Sequence, residues 1–293
     1  MTTVPEDVRR ICLPPFRHLL DRLPALRVTD FYEDPFEPYL HQQTATKSWD
    51  LDHFTALALR REGPVLDIGC GRGRVALALA AKGLSVTAVD TSRAAITRLR
   101  THLEQHPQPA TRVRVVHGDI LNPRTPTGSG YATAVLGDTA VNMFVDEEAL
   151  TGFLARVRSL LACDGVFGLP VLSETALSTY ARRNGLLATD FVDDGGSRHL
   201  LFAAMRYATE GPYFSRTLFT PDTIRDDEGE PVAHLAAVRE RLWTHDTLVP
   251  HVHAAGLRVT ERLKAVPRDD SLGRVDAEIL VLTHQVSEAT NDR

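Results

Sequence analysis

From residue 64 onward, short aliphatic runs alternate with stretches whose apolar positions recur at three- and four-residue spacing. Val65, Leu66 and Ile68 read as a strand covered on both faces. A helix is predicted from Arg74 to Lys82, stopped by Gly83, with Lys82 favourably placed in its last turn. Ser85–Asp90 predicts the second strand, and Ile96, Leu99 and Leu103 mark the helix after it. Arg112–Asp119 predicts the third strand, Asn122–Gly130 a polar loop, and Tyr131–Leu136 the fourth strand. Asp146, Glu147 and Glu148 favour the start of a helix whose stripe is Leu150, Phe153, Leu154, Val157, Leu160 and Leu161. Val166–Leu172 predicts a fifth strand, with a bulge or an early end at Pro170, which lacks the ladder donor. This alternation predicts an α/β fold in which crossover helices join a parallel sheet.

The flanks follow other patterns. Residues 1–60 read as helical pieces interrupted by prolines, with Phe16, Leu19, Leu20 and Leu23 on one apolar face and Leu51, Phe54 and Leu57 on another. Between them lies the aromatic, turn-rich segment Asp30–His41. Residues 173–245 carry strand-like runs at Leu200–Tyr207, Tyr213–Phe219 and Val232–Trp243, punctuated by Gly195-Gly196 and Gly211-Pro212, and predict an antiparallel cap. Asp246–Ala255 returns to helix. Leu257–Leu263 and Ala277–His284 then predict a hairpin across a polar loop, Pro267–Asp276, and residues 287–293 predict a disordered tail. The expected organisation is an N-terminal helical lid (1–60), a core (61–172), a substrate cap (173–245) and a C-terminal helix and hairpin completing the core (246–293).

At 293 residues with 43% hydrophobic positions the chain can bury a substantial core. The net charge of -5 and the lack of any Lys/Arg cluster argue against a nucleic-acid or membrane-surface partner. Cys12, Cys70 and Cys163 are too few and too scattered for a disulfide framework or a zinc site, which fits a reducing cytoplasm. No stretch approaches the ~20 apolar residues of a membrane helix, and the start has no basic region followed by an apolar one. A soluble cytoplasmic protein is expected, and a homodimer is compatible with the sequence.

The chemistry concentrates at Val65–Arg74, where the strand runs into Asp67-Ile-Gly-Cys-Gly-Arg-Gly73. Gly69, Gly71 and Gly73 allow a sharp bend and close approach of a ligand to the backbone. Their spacing differs from the G-x-G-x-x-G of dinucleotide sites. A carboxylate inside such a strand must be paired or used; before this turn it reads as used, for a ligand carrying positive charge.

This motif resembles the first motif of class I S-adenosylmethionine-dependent methyltransferases, and the resemblance extends through most of residues 61–172 and again through 246–285. It implies a Rossmann-like sheet, S-adenosylmethionine as cofactor and S-adenosylhomocysteine as product. Asp67, Gly69, Cys70, Gly71 and Gly73 would form the cofactor turn. Asp90, followed by Thr91, ends the second strand where a carboxylate can accept two ribose hydroxyls; Thr91 and Ser92 already offer helix caps. By the same resemblance Asp119, with Gly118 and Ile120, would meet the adenine, and the backbone of Leu136 and Gly137 would line the cofactor. Asp30–His41 is either a loop pinned by Phe31, Phe36 and Tyr39 or a lid over the cofactor, with Tyr32 and Tyr39 as its contacts.

Methyl transfer from a sulfonium is an in-line displacement in which positioning and desolvation do most of the work. An amine is nucleophilic once deprotonated, whereas a hydroxyl needs a nearby base. Candidate catalytic residues are Asp138, His199, Tyr213 and His245, and Asn142 is expected to point with Asp138 toward the transfer region. The cap, with Arg239–Leu248, is similar to small-molecule methyltransferases of bacterial secondary metabolism that act on amino sugars or on a peptide amine of the daptide type. That likeness implies N-methylation, with O-methylation through a side-chain base as the alternative. A nicotinamide-dependent oxidoreductase is disfavoured by the glycine spacing. A nucleic-acid methyltransferase is disfavoured because Gly137–Phe144 contains no Asn-Pro-Pro or Asp-Pro-Pro run. Metal-assisted O-methylation lacks acidic ligands beyond Asp138 and Glu174, and His251 and His253 lie two apart on a helix, facing different directions. A non-catalytic binder of the same cofactor is the remaining class.

Overall fold

The computed structural model describes residues 4–23, 25–45, 49–208, 210–225, 229–265 and 276–285. Its strands are β1 (Arg27–Val28), β2 (Val65–Ile68), β3 (Val86–Asp90), β4 (Val113–His117), β5 (Tyr131–Leu136), β6 (Leu161–Leu172), β7 (Gly185–Val192), β8 (Arg198–Tyr207), β9 (Tyr213–Arg225), β10 (Pro231–Arg241), β11 (Leu257–Ala265) and β12 (Ala277–His284). The helices are α1 (Glu6–Ile11), α2 (Leu19–Arg22), α3 (Glu37–Thr44), α4 (Leu51–Leu59), α5 (Arg74–Ala81), α6 (Arg93–Gln105), α7 (Pro107–Ala110), α8 (Glu147–Leu160), α9 (Glu174–Ala181) and α10 (His245–Ala254).

Two sheets organise these elements. The first has the order β11-β12-β6-β5-β2-β3-β4. β2 to β6 run parallel, and β12 is inserted antiparallel between β6 and β11. Every residue of β2 and β5 is buried, as their largely apolar sequences, interrupted only by Asp67 and Thr133, require for strands covered on both faces. On one face α8 and α10 bring Phe153, Leu154, Val157 and Val252 against Leu66, Phe167 and Leu280. On the other, Phe54 of α4, Leu79 of α5 and Leu99 of α6 pack with Val65, Ala88 and Val135. Ser92 caps α6, its hydroxyl accepting from Ala95 N at 3.1 Å, and Asp146 caps α8.

β6 runs through Pro170 to Leu172 in unbroken register with β12, without the expected bulge or early end. The reason lies on its other side. β5 pairs with β6 only as far as Gly168, and the next donor pointing that way, Leu172 N, reaches Trp243 O at 3.0 Å. Pro170 therefore stands where no ladder donor is needed.

The second sheet, β1-β10-β9-β8-β7, is the expected antiparallel cap with additions. β7 escapes the sequence reading because it is an edge strand whose only fully buried residue is Phe191, so it shows no alternation. β1 joins the opposite edge, parallel to β10, and α9 precedes the sheet. The cap's inner face, with Leu201, Ala203, Leu218, Ala236 and Val238, packs on Phe31, Phe36, Tyr39 and Met143. Its outer face, with Ala204, Phe219 and Leu235, is covered by Cys12, Leu13 and Phe16. The first sixty residues are thus shared between layers and do not form one helical lid: the segment leading into α2 covers the cap from outside, residues 30–44 lie between the layers, and α4 belongs to the core. The predicted loop Pro267–Asp276, up to residue 275, and the tail 287–293 lie outside the described residues. No helix among the described residues is long and apolar enough to cross a membrane.

Candidate cofactor and methyl-transfer site

The carboxyl ends of β2, β3, β4 and β5 meet at one edge of the core sheet. Leaving β2, the backbone takes left-handed values at Gly69 (φ 63°), Gly71 (φ 54°) and Gly73 (φ 87°), which is why all three are glycine. At Gly71 nothing stands within 4 Å of where a Cβ would be, so the turn presents open backbone. At Gly73 a Cβ would come within 2.6 Å of Leu99 Cδ1, which sets how closely α6 packs on the turn.

Asp67 is 1% exposed, and its Oδ2 accepts from Ala76 N, in the first turn of α5, at 2.9 Å. The carboxylate is thus paired through one oxygen, and it ties β2 to α5 so that the glycine turn keeps its shape. Burial pushes its pKa up to about 7, against the opposing pull of Arg74 and of the Ala76 hydrogen bond. A folded-state pKa raised above the unfolded value favours the protonated form in the fold. The associated stability is complete below the ordinary pKa of 3.8 and is lost as pH rises through about 7. Thermal unfolding of wild type should therefore show stability declining between about pH 4 and pH 7, a slope that Asp67→Asn removes. Equal slopes in the two proteins would contradict the assignment.

Asp90 joins three strand ends. Its Oδ2 accepts from Gly71 N at 2.7 Å and its Oδ1 from Ser92 N at 2.8 Å, while its carbonyl accepts from Gly118 N at 2.9 Å. Burial raises its pKa, and the Ser92 and Gly71 N–H groups oppose that rise. A carboxylate has about four acceptor sites, so these two hydrogen bonds leave capacity for hydroxyl donors. Thr91 O lies 3.0 Å from His117 Nε2. Asp119 is exposed beyond β4, with Oδ1 accepting from Leu121 N at 2.8 Å, and Ile120 is buried in the core. The structure thus brings Gly69, Cys70, Gly71, Asp90, Thr91, Gly118 and Asp119 to one sheet edge.

At the end of β5, after the buried Leu136, the chain passes through Gly137 into Asp138 (φ 48°) and Thr139 (φ 55°), two non-glycine residues in left-handed conformation. Such strain persists only where the surroundings enforce it. Asp50, fully buried ahead of α4, does so: its Oδ2 accepts from Asp138 N at 3.0 Å. The same carboxylate makes a bidentate pair with Arg74, at 2.6 and 2.7 Å. Glycine at 137 suits this packing, because a Cβ there would lie 3.2 Å from Arg74 Nη2 and 3.3 Å from Asp50 Oδ2, and the pair would have to give by a few tenths of an ångström to admit it. Sequence reasoning missed both partners, since an Asp before a helix reads as an N-cap, yet Asp50 makes no capping hydrogen bond. Asn142 does not point into the transfer region as expected. It is 3% exposed, and its Oδ1 accepts from Trp243 N at 3.0 Å, fixing the junction between β10 and α10.

The cap faces this edge with Arg216, whose guanidinium donates to Glu240 Oε1 at 2.8 Å and lies 4.8 Å from the Phe31 ring centroid. Tyr32, 39% exposed, places its hydroxyl 3.4 Å from Arg216 Nη2 and 3.2 Å from Met143 Sδ. Tyr39 packs edge-on against Phe191, within the apolar layer under the cap. Of the four candidate catalytic residues, only Asp138 is placed at the β5 exit, where its charge acts on Tyr32. His199 is buried with Nε2 2.8 Å from Asp193 Oδ2, Tyr213 lies under the Arg239 guanidinium at 4.0 Å, and His245 sits 2.7 Å from Asp246 Oδ1. Arg216 and Glu240 carried no sequence signal beyond alternation along their strands.

A parallel sheet with one antiparallel insertion next to its end, and a glycine turn facing an acidic strand end, define the class I methyltransferase architecture. Residues 65–165 match the family described as "Methyltransferase domain", and the chain carries such a domain there. The chain is similar to the mitochondrial ubiquinone biosynthesis O-methyltransferase of Schizosaccharomyces pombe, 35% identical over 100 residues, which are 33% of this chain and 35% of that protein. The alignment thus spans about a third of that relative. Over nearly the full length the fold is similar to the glycopeptide N-methyltransferase MtfA complexed with S-adenosylhomocysteine, with 20% identity, TM-score 0.56, and 93% and 99% of the two chains covered. It is also similar to the sugar N-methyltransferase KedS8 from Streptoalloteichus sp, with 15% identity, TM-score 0.60, and 83% and 91% covered. The residues present fit S-adenosylmethionine: open backbone at Gly71 and a strand-end carboxylate with acceptor capacity beside it.

Proposed function

We propose that this protein methylates an amine of a small molecule or modified peptide of secondary metabolism, as a soluble cytoplasmic enzyme. When bound, S-adenosylmethionine supplies an electrophilic methyl group on a sulfonium and leaves as a neutral thioether. The chain's task is then to hold the acceptor nitrogen in line, exclude water and let one proton depart. Tyr32, in contact with Met143 and Arg216, and Glu240, paired with Arg216, face the β5 exit from the cap side.

The observation that supports the choice of nitrogen is that His199 is engaged with Asp193, Tyr213 with Arg239 and His245 with Asp246, while Asp138, the candidate at the β5 exit, itself acts on the Arg74 guanidinium. A neutral amine needs no strong base, whereas a hydroxyl does. The N-methyltransferase function of the two structural neighbours supports the same choice. Oxygen transfer is the second reading, because Asp138 can accept a hydroxyl proton and the matched yeast relative is an O-methyltransferase. Incubation with S-adenosylmethionine and a panel of amino sugars, peptide amines and their hydroxyl analogues, read by S-adenosylhomocysteine release and product mass, decides between them. Methylation of amines is expected; methylated hydroxyls with untouched amines would overturn the nitrogen assignment.

A further inference from the structure

The glycine turn is joined to both layers above it by a single ionic network. Arg72, the turn residue between Gly71 and Gly73, holds Glu37 of α3 through Nε–Oε1 at 2.9 Å and Nη2–Oε2 at 2.6 Å. The same guanidinium reaches Asp194, in the turn between β7 and β8 of the cap, through Nη1–Oδ1 at 2.7 Å and Nη2–Oδ2 at 3.2 Å. Arg98 of α6 repeats the pattern one layer away, pairing through Nε with Asp194, with Asp34 Oδ1 at 2.9 Å and with Glu37 Oε2 at 3.4 Å. Segment 32–37 is further pinned to the end of β3 and the start of α6. Ser92 Oγ donates to Tyr32 O at 2.9 Å, and Glu33 accepts from Arg93 N and Ala94 N at 2.6 and 3.0 Å.

The two links differ in kind. The segment's link is multiple and includes backbone groups, and Glu37 is 7% exposed at the side chain. The cap's link to the two arginines is one half-exposed carboxylate, Asp194, 44% exposed at the side chain. Behind the turn, β7 is also held to α3, by Gln42 Nε2 donating to Val192 O at 2.6 Å and by Tyr39 packed edge-on against Phe191, so the joint that can open on its own is the turn at Asp194, over the edge that carries Gly71 and Asp90.

We propose that Asp194 is the latch of a gate: the β7–β8 turn closes over the cofactor edge by pairing with Arg72 and Arg98, and cofactor exchange proceeds when that joint opens while segment 32–37 stays in place. This rests on the cofactor reading of the site. Every partner in the joint is a protein side chain, so its opening governs uptake and release alike. Solvent-facing ion pairs are screened by salt, so the gate opens more readily as ionic strength rises.

Stopped-flow binding and displacement of S-adenosylhomocysteine on the full chain test this. Asp194→Asn should raise the association and release rates together by about 3- to 10-fold, equivalent to ~0.7–1.4 kcal/mol. The dissociation constant should move less than about 2-fold, and the salt dependence of both rates should flatten. Asp194→Glu, which keeps the charge, should restore most of the wild-type behaviour. Rates indifferent to Asp194→Asn, or a release rate that rises alone with a matching loss of affinity, would overturn the gate. Wild-type protein that binds no S-adenosylhomocysteine in calorimetry would refute the cofactor reading itself, and the gate with it.

Discussion

Asp50→Ala should destabilise the protein by about 3–5 kcal/mol, the range for removing one partner of a buried ion pair. At this chain length that corresponds to a melting point lower by roughly 5–8 °C. The effect is large because one carboxylate performs two tasks. It neutralises Arg74, whose side chain is 16% exposed, and it accepts the Asp138 N–H that holds the left-handed turn after β5. Alanine removes the bidentate carboxylate from a largely buried guanidinium and the anchor from a strained turn. Asp50→Asn keeps an acceptor for Asp138 N and should lose less. Calorimetric melting of the two variants checks the order, and an alanine variant within about 1 kcal/mol of wild type would mean that the pair does not hold the turn.

Asp90→Ala should weaken S-adenosylhomocysteine binding by about 10- to 150-fold, or 1.5–3 kcal/mol, the worth of hydrogen bonds to a charged acceptor. The geometry adds a second route to the same loss. Asp90 Oδ2 takes the Gly71 N–H, so alanine also frees the turn against which the cofactor would lie. Asp90→Asn separates the routes, since its amide oxygen can take one backbone N–H but carries no charge for hydroxyl donors. Calorimetric titration with S-adenosylhomocysteine, with melting curves to establish folding, gives the answer. An unchanged dissociation constant for the alanine variant would remove Asp90 from the cofactor site.

The parts of this architecture legible in the sequence are those written in contiguous residues. The β2 strand, the glycine turn and α5 follow one another within Val65–Ala81, and each local preference agrees with the next. The place of Asp90 was legible because strand ends of a parallel sheet share one edge, whereas Gly118-Asp119, an ordinary turn by itself, was singled out only by the resemblance. The rest was hidden where two distant residues act as one. Asp50 and Arg74 are 24 positions apart, Arg72 and Asp194 122 apart, and neither pair leaves a periodicity to detect. Asp67 is half legible for a related reason: an acid in an apolar strand announces a need for a partner, and only the fold shows that Ala76 N supplies one. β7 was lost because an exposed edge strand has no face to bury, and Pro170 misled because the sequence does not reveal where the neighbouring strand stops.

The pairing of β1 with β10 bears on any attempt to re-engineer acceptor choice by exchanging segments with a relative. Arg27 and Val28 lie beside His234 and Leu235, while Leu13 N donates to Thr217 Oγ1 at 2.9 Å. Transplanting residues 173–245 alone would deliver a sheet stripped of one border and of its outer packing. A workable chimera has to exchange the first 45 residues along with it.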